Sequence, residues 1–424
     1  MTRTFPWNFL TFVFVVSVAT VTLYLYSPSK SPGQQALPLT PNSAAGFEGL
    51  DQAITQATEF LLARQGNDGA WHSERYGSMR QGAANTALVL YALSQLSPED
   101  LESHADAIQR ARNFLLTGIE KTGCVSNPDG SLDYPVYSTA LILTVDKRID
   151  LKLKPAQTQR MVNYLLDSQC MEPRGFTLEN PNHGGWDILG PGPTRGKTAG
   201  TNVSVTFFVV EALAQFRGSQ PDQPTDETPE DSKPSDLPVE LGKKVDAALL
   251  ATNQWSQRIQ ANEGGFYFTS KRKSALNKAG WDDKQQTSPS AYGSATCDGL
   301  GLLLQLGETP SGKPVQSSLS WLAEHPGVDA VPGFKSDLEG NGWPASLKFY
   351  YLAALSRSLS AFESDENTAT SNAIIKQLLD NQFESGAWRN EASLMRENDE
   401  LIATPFGLIA LLNCKSILAQ AESR

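Results

Sequence analysis

The chain repeats itself, and that constrains its fold more than any other feature. Phe60-Leu-Leu-Ala-Arg-Gln65-Gly-Asn-Asp-Gly69-Ala-Trp71 aligns with Gln377-Leu-Leu-Asp-Asn-Gln382-Phe-Glu-Ser-Gly386-Ala-Trp388, each with an apolar pair, a Gln and then Gly-x-Trp. Looser copies lie between them. Tyr164-Leu165 leads to Gln169 and Gly184-Gly185-Trp186, and Leu249-Leu250 leads to Gln254 and Gly264-Gly265-Phe266. Two degenerate units sit around Phe114-Leu115 with Gly130-Ser-Leu132, and around Trp321-Leu322 with Gly342-Trp343. A fixed unit recurring across a chain marks an architecture of stacked supersecondary elements.

Each copy is followed by a second helix-like run: Gln81–Leu96, Tyr137–Val145, Thr201–Phe216, Ala291–Gln305, Ala345–Leu359 and Ile402–Leu418. Apolar residues in these runs recur on more than one face, as in Thr206-Phe-Phe-Val-Val, which predicts burial nearly all round. The helices before them are one-sided, with Gln52, Gln56 and Arg64 alternating against Ile54, Phe60 and Leu61. Six pairs, one member mixed and one wholly buried, predict an all-α protein built as an α/α toroid of two concentric rings over residues 47–420. A linear solenoid would expose more of the second helices, and unrelated tandem domains would not repeat.

The amino terminus is of another kind. Trp7 to Tyr26 is an uncharged apolar run of twenty residues, about 30 Å of helix and the thickness of a bilayer's hydrocarbon core. Residues 1–26 are therefore expected to be a membrane anchor or signal peptide, with residues 7–26 entering the membrane and the toroid outside the cytoplasm. Residues 27–46 read as a flexible linker. Ser219–Glu240 holds seven acidic residues, five prolines and one lysine, too little apolar surface to order itself, so 219–240 is expected to be a disordered insertion. The net charge of −11, from 35 basic and 46 acidic residues, argues against nucleic acid as a partner. Four His and four Cys form no ligand-spaced motif, so neither a metal nor another cofactor is expected. In an oxidising compartment Cys124 and Cys170 are candidates to pair, whereas Cys297 and Cys414 fall in buried runs.

The Phe/Tyr-Leu-x3-Gln-x3-Gly-x-Trp pattern resembles the QW repeat of squalene-hopene and oxidosqualene cyclases, whose superfamily includes protein prenyltransferase β subunits. It is specific at Gln65, Gly69, Trp71, Gln382, Gly386 and Trp388, and extends to Tyr292-Gly293-Ser294 and Phe349-Tyr350-Tyr351. The resemblance implies that the repeat Gln ties helix ends together, that the Trp stacks beneath, and that the central funnel receives an isoprenoid or other apolar lipid. The chain lacks the Asp-x-Asp-Asp tetrad of hopene cyclases and has residues for one barrel rather than two. The expectation is thus a toroid that binds or transforms an isoprenoid, in the manner of a terpene cyclase or isomerase, rather than a hopene-type enzyme.

Inner helices of a toroid begin at one rim, which directs Asn85, Tyr137, Asn202, Thr206, Tyr292, Asp298, Tyr350 and Thr404 toward the funnel. Asp298 stands in an otherwise apolar run and is the leading candidate acid. Burial would raise its pKa and let it protonate an alkene or epoxide. Asp282 and Asp283 form the nearest carboxylate pair and are further candidates, though solvation of a loop also accounts for them. Tyr137, Asn202, Tyr292, Tyr350 and Trp281 are candidate substrate-binding residues, with aromatic faces able to stabilise a carbocation. His183 beside Asp187 in a Gly-rich stretch allows a general-base pair, but no serine nucleophile motif accompanies it and a turn role accounts for the residues better. Two other functions stay open: a non-catalytic scaffold, marked by a plugged centre, and a carbohydrate-active toroid, marked by two facing carboxylates.

Overall fold

Burial alternates from helix to helix along the chain. The computed structural model describes residues 43–191, 200–219, 237–274, 276–282, 284–285, 287–335, 342–362 and 364–423. Among these, six one-sided helices are α1 (Ser43–Ala63), α3 (Ala105–Thr117), α5 (Pro155–Ser168), α7 (Leu237–Ile259), α9 (Lys313–Glu324) and α11 (Asp365–Leu379). Alternating with them are α2 (Ala83–Leu93), α4 (Pro135–Ile149), α6 (Val203–Gly218), α8 (Gly293–Gln305), α10 (Lys348–Ser360) and α12 (Glu400–Glu422). Every residue of α2 is buried, whereas α3 buries only Ala111, Phe114 and Leu115. A helix that is apolar on all faces needs neighbours on all faces.

The packing supplies them. Each even-numbered helix packs on the next, α2 on α4 and so on to α12, and α12 packs back on α2. That closes a ring of six. The odd-numbered helices lie outside it, α3 on α2, α5 on α4, α7 on α6, α9 on α8 and α11 on α12. The result is the α/α toroid of paired helices, and β structure among the described residues is limited to isolated bridges. By length and composition α12 would also cross a membrane, but it is an inner helix enclosed by α10, α11 and α2. Ala44–Arg424 forms one compact unit. The proposed anchor at 7–26, linker residues 27–42, residues 220–236 of the acidic segment and Asp283 lie outside the described residues.

The repeat loops explain why the motif recurs. Gln65 donates through Nε2 to Gly69 O (2.9 Å) in its own loop and to Ala107 O (2.8 Å) on α3. Gln169 does the same to Gly184 O and to Ala248 O on α7, and Gln382 to Gly386 O and to Ala53 O on α1. Each Gln therefore fastens one unit to a neighbouring outer helix, and Gln382 fastens the last unit to the first. The buried indoles of Trp71, Trp186 and Trp388 donate to Leu61 O, Leu165 O and Leu378 O of their own outer helices. Gly69 has φ +90, and a Cβ there would lie 2.4 Å from Arg110 O. At Gly386, with φ +86, it would lie 2.2 Å from Gln56 O. Only glycine fits such a backbone this close to a neighbour.

Two repeat assignments shift. The glutamine of the fourth unit is Gln260, which donates to Gly264 O and Pro314 O, while Gln254 is exposed on α7. The Gln–Gly spacing of four survives there, so the apolar pair misled and the spacing did not. In the second unit Gly123 and Val125 hold the loop in place of Gly130 and Leu132. Val125 N donates to Thr139 Oγ1, Ile119 and Val125 form the bridge, and Leu132 is exposed. Cys124 and Cys170 are separate buried thiols, as are Cys297 and Cys414.

Candidate active site

Helices two places apart in a six-membered ring meet only across its interior, so side-chain bonds between them locate the bore. Tyr91 on α2 donates to Glu211 on α6 (3.0 Å). Ser204 on α6 is hydrogen-bonded to the Tyr350 hydroxyl on α10. The Arg357 guanidinium of α10 lies over the Phe207 ring of α6, 3.9 Å from its centroid. These residues line the centre of the toroid.

They fall into two levels. In the first turns of α4, α6 and α10 stand Tyr137, Ser204 and Tyr350, all partly exposed although they point inward. Phe406 of α12 meets Tyr350 edge-on at 5.1 Å, and Tyr137 meets Phe208 edge-on at 5.0 Å. Further along the helices the interior is filled by Tyr91, Phe207, Phe208, Glu211, Arg148 and Arg357. The end where the inner helices begin, with Tyr137, Ser204 and Tyr350 partly exposed, forms the cup; Tyr91, Phe207, Phe208 and Glu211 are buried below it, where Arg148 and Arg357 are 25% and 19% exposed.

Asp298 connects the levels. It is 1% exposed and sits in the middle of α8. The Tyr350 hydroxyl donates to its Oδ2 (2.6 Å) and Arg357 Nη2 to its Oδ1 (2.8 Å). Burial pushes its carboxyl up to about 6, against the opposing pull of Arg357 and of the hydrogen bonds from Tyr350, Arg357 and Ser204. A carboxylate in a dry site loses more hydration than its partners return. The same environment raises the Tyr350 and Tyr137 hydroxyls well above their ordinary value, first through desolvation. The group can therefore carry a proton near neutrality, and its partners are already aimed at the anion left when that proton departs.

The other sequence candidates take varied positions. Asp282 is in an exposed loop, paired with Lys335 (2.7 Å) and accepting from Ser290 Oγ (2.8 Å). Trp281 is half-buried beside it, its indole donating to Arg272 O (3.3 Å). Asn202 caps α6 by accepting from Val205 N (2.9 Å). Tyr292 precedes α8, buried against Phe334 at 5.1 Å. Thr206 and Thr404 face the repeat loops, where they accept the backbone N–H of Trp186 and Trp388 (3.1 Å each). His183 meets Glu172 (3.2 Å) rather than Asp187, which is held by Arg174.

No family model and no curated protein matches the sequence. Solved structures do. Type II terpene cyclase MstE from Scytonema, in complex with merosterolic acid A as product, matches with a TM-score of 0.57 at 14% identity, over 88% of this chain and 99% of that one. The same enzyme with geranylgeranyl dihydroxybenzoate as substrate matches with a TM-score of 0.55 at 14% identity, over 89% and 99%. A protein from Actinoplanes matches with a TM-score of 0.52 at 16% identity, over 87% and 99%. The chain shares the fold of a type II terpene cyclase.

Several interior groups of this toroid carry no motif. Glu211 is bonded by Arg148 Nη2 (3.1 Å) as well as by Tyr91. Glu397, buried, accepts the N–H groups of Phe349 (3.0 Å) and Tyr350 (2.8 Å) at the start of α10. Burial lifts its carboxyl to about 8 even so. It fixes the turn that carries Tyr350 into the cup. Arg357 was legible as a cation in the apolar run Phe349–Leu359. Glu211 had a similar signal, and Glu397 sits in a polar stretch with none.

Proposed function

We propose that the toroid binds an isoprenoid or a similar apolar chain in its cup and that Asp298 protonates it, in the manner of a terpene cyclase or isomerase. The observation that carries this reading is Asp298 itself, an almost fully buried acid raised to about 6 among aromatic side chains. In its neutral form the carboxyl gives a proton to one carbon of an alkene, and the other carbon becomes cationic. Arg357 and the Tyr350 hydroxyl bind the carboxylate that remains. The faces of Tyr137, Phe208 and Phe406 attract the cation. Return of a different proton from the cation to Asp298 restores the acid and leaves a rearranged or cyclised isomer. The fold shared with an enzyme solved with an isoprenoid-bearing substrate supports the reading. The apolar segment 7–26 would hold the toroid at a membrane, outside the cytoplasm, where such chains are stored.

A non-catalytic scaffold for protein partners is the second reading, favoured by the packed lower half of the bore. Carbohydrate chemistry asks for two free facing carboxylates, and in the bore Asp298 and Glu211 each end on an arginine. The experiment is incubation of the full-length chain in detergent and deuterated buffer with geranylgeraniol or squalene. Deuterium in a new isomer, lost in Asp298→Asn, is the expected outcome. Unlabelled, unchanged isoprenoid with the native protein would leave the scaffold reading.

A further inference from the structure

Lysine is almost never buried without an anionic partner, yet Lys278 is only 8% exposed. It lies in the loop before α8. Its Nζ sits 3.3 Å from the centroid of the Phe268 ring and 5.9 Å from those of Tyr292 and Trp343. Among the described residues its hydrogen-bond partner is the neutral Tyr292 hydroxyl, at 3.4 Å. The Asp298 carboxylate acts on it through space and favours the ammonium. Three rings, one of them the Tyr292 phenol, thus surround the amine.

We propose that Lys278 is a second functional group of the toroid, a nucleophilic amine boxed by Phe268, Tyr292 and Trp343 that condenses with the carbonyl carbon of an apolar aldehyde. Desolvation pulls the ammonium down to about 7, so a large share of the side chain carries a free lone pair near neutrality. The lone pair attacks the carbonyl carbon and forms the N–C bond while the C=O π electrons move to oxygen. The two amine hydrogens pass to that oxygen, with the Tyr292 hydroxyl placed to relay them. Water leaves, and the C=N bond of an imine remains. Amine and aldehyde give imine and water, with no oxidant or reductant required. The ring walls favour an apolar chain beside the carbonyl and exclude the water that would hydrolyse the product.

The inference deepens the lipid reading of the cup by naming a carbonyl-bearing apolar compound as ligand, and it uses that reading in the choice of probe. Capture is read without turnover, so it fails or succeeds separately from proton transfer by Asp298. The full-length chain in detergent is incubated at neutral pH with citral and sodium cyanoborohydride, which reduces imines to stable amines, and modified lysines are mapped by mass spectrometry. Lys278 is expected to be alkylated at least about tenfold faster than the exposed Lys243 and Lys376. The adduct is expected to persist in Asp298→Asn and to vanish in Lys278→Met. A structural cation stacked on Phe268 would stay protonated, and a rate no greater than that of Lys243 and Lys376 would overturn the proposal. Equal labelling by glyoxylate, a polar aldehyde, would overturn the apolar class of ligand.

Discussion

At the scale of single residues the centre of the toroid is governed by the balance between lost hydration and returned contacts. Asp298 is raised to about 6 although an arginine and a tyrosine both donate to it. Its neutral form is favoured by folding, so its contribution to stability is full below the ordinary carboxylate value of about 4 and is lost as pH rises through about 6. Any proton transfer it performs fades over the same limb. Arg357→Met removes the guanidinium and leaves the buried carboxylate without its countercharge, with the Tyr350 hydroxyl still donating to it. Breaking a buried pair from one side typically costs about 3–5 kcal/mol. The variant is expected to unfold at lower denaturant, and the pH at which activity falls should move upward. An unchanged pH profile in Arg357→Met would show that Arg357 does not set the acidity of Asp298.

At the scale of elements, the Trp71, Trp186 and Trp388 loops are brackets with three attachments: the Gln to a neighbouring outer helix, the indole to its own outer helix, and the backbone N–H to an inner-helix threonine. The last of these recurs as Trp71 to Thr86, Val125 to Thr139, Trp186 to Thr206, Phe266 to Thr296 and Trp388 to Thr404. Thr206→Val keeps the volume but leaves the buried Trp186 N–H unpaired, a loss of about 1–3 kcal/mol. Thr206→Ser should recover most of it, since it keeps the oxygen. Equilibrium denaturation of the two variants measures the difference. Equal destabilisation would mean that the methyl group matters there and the hydrogen bond does not.

At the scale of the whole molecule, the toroid is held by a seam between the two ends of its ring. Gln382 donates to Ala53 O on α1, α12 packs on α2, and Lys415 pairs with Asp51 (2.7 Å). Gln65→Leu, within the ring, and Gln382→Leu, at the seam, each delete the two Nε2 bonds to the loop and to a neighbouring outer helix for about 2–3 kcal/mol, and Gln65→Leu also deletes the bond from Arg110. Only Gln382→Leu should speed amide exchange in the first and last helices together, because it loosens the closure that joins them. Exchange confined to α11 would place the closure in the α12–α2 packing alone.

The amino-acid sequence by itself determined the class, the number of helix pairs and the ring. Recurring Gln–Gly–Trp spacing and wholly apolar second helices leave few arrangements that bury every face. It also marked Asp298, because a carboxylate in an apolar run must be explained. Tertiary structure alone decided which polar residues of the inner helices look inward. Thr206 and Asp298 are both polar residues within apolar inner-helix runs, yet one grips a repeat loop and the other meets Arg357 across 59 residues of chain. Lys278 was hidden for the same reason. Its aromatic box is assembled from Phe268, Tyr292 and Trp343, and no local pattern records which distant rings will enclose an amine.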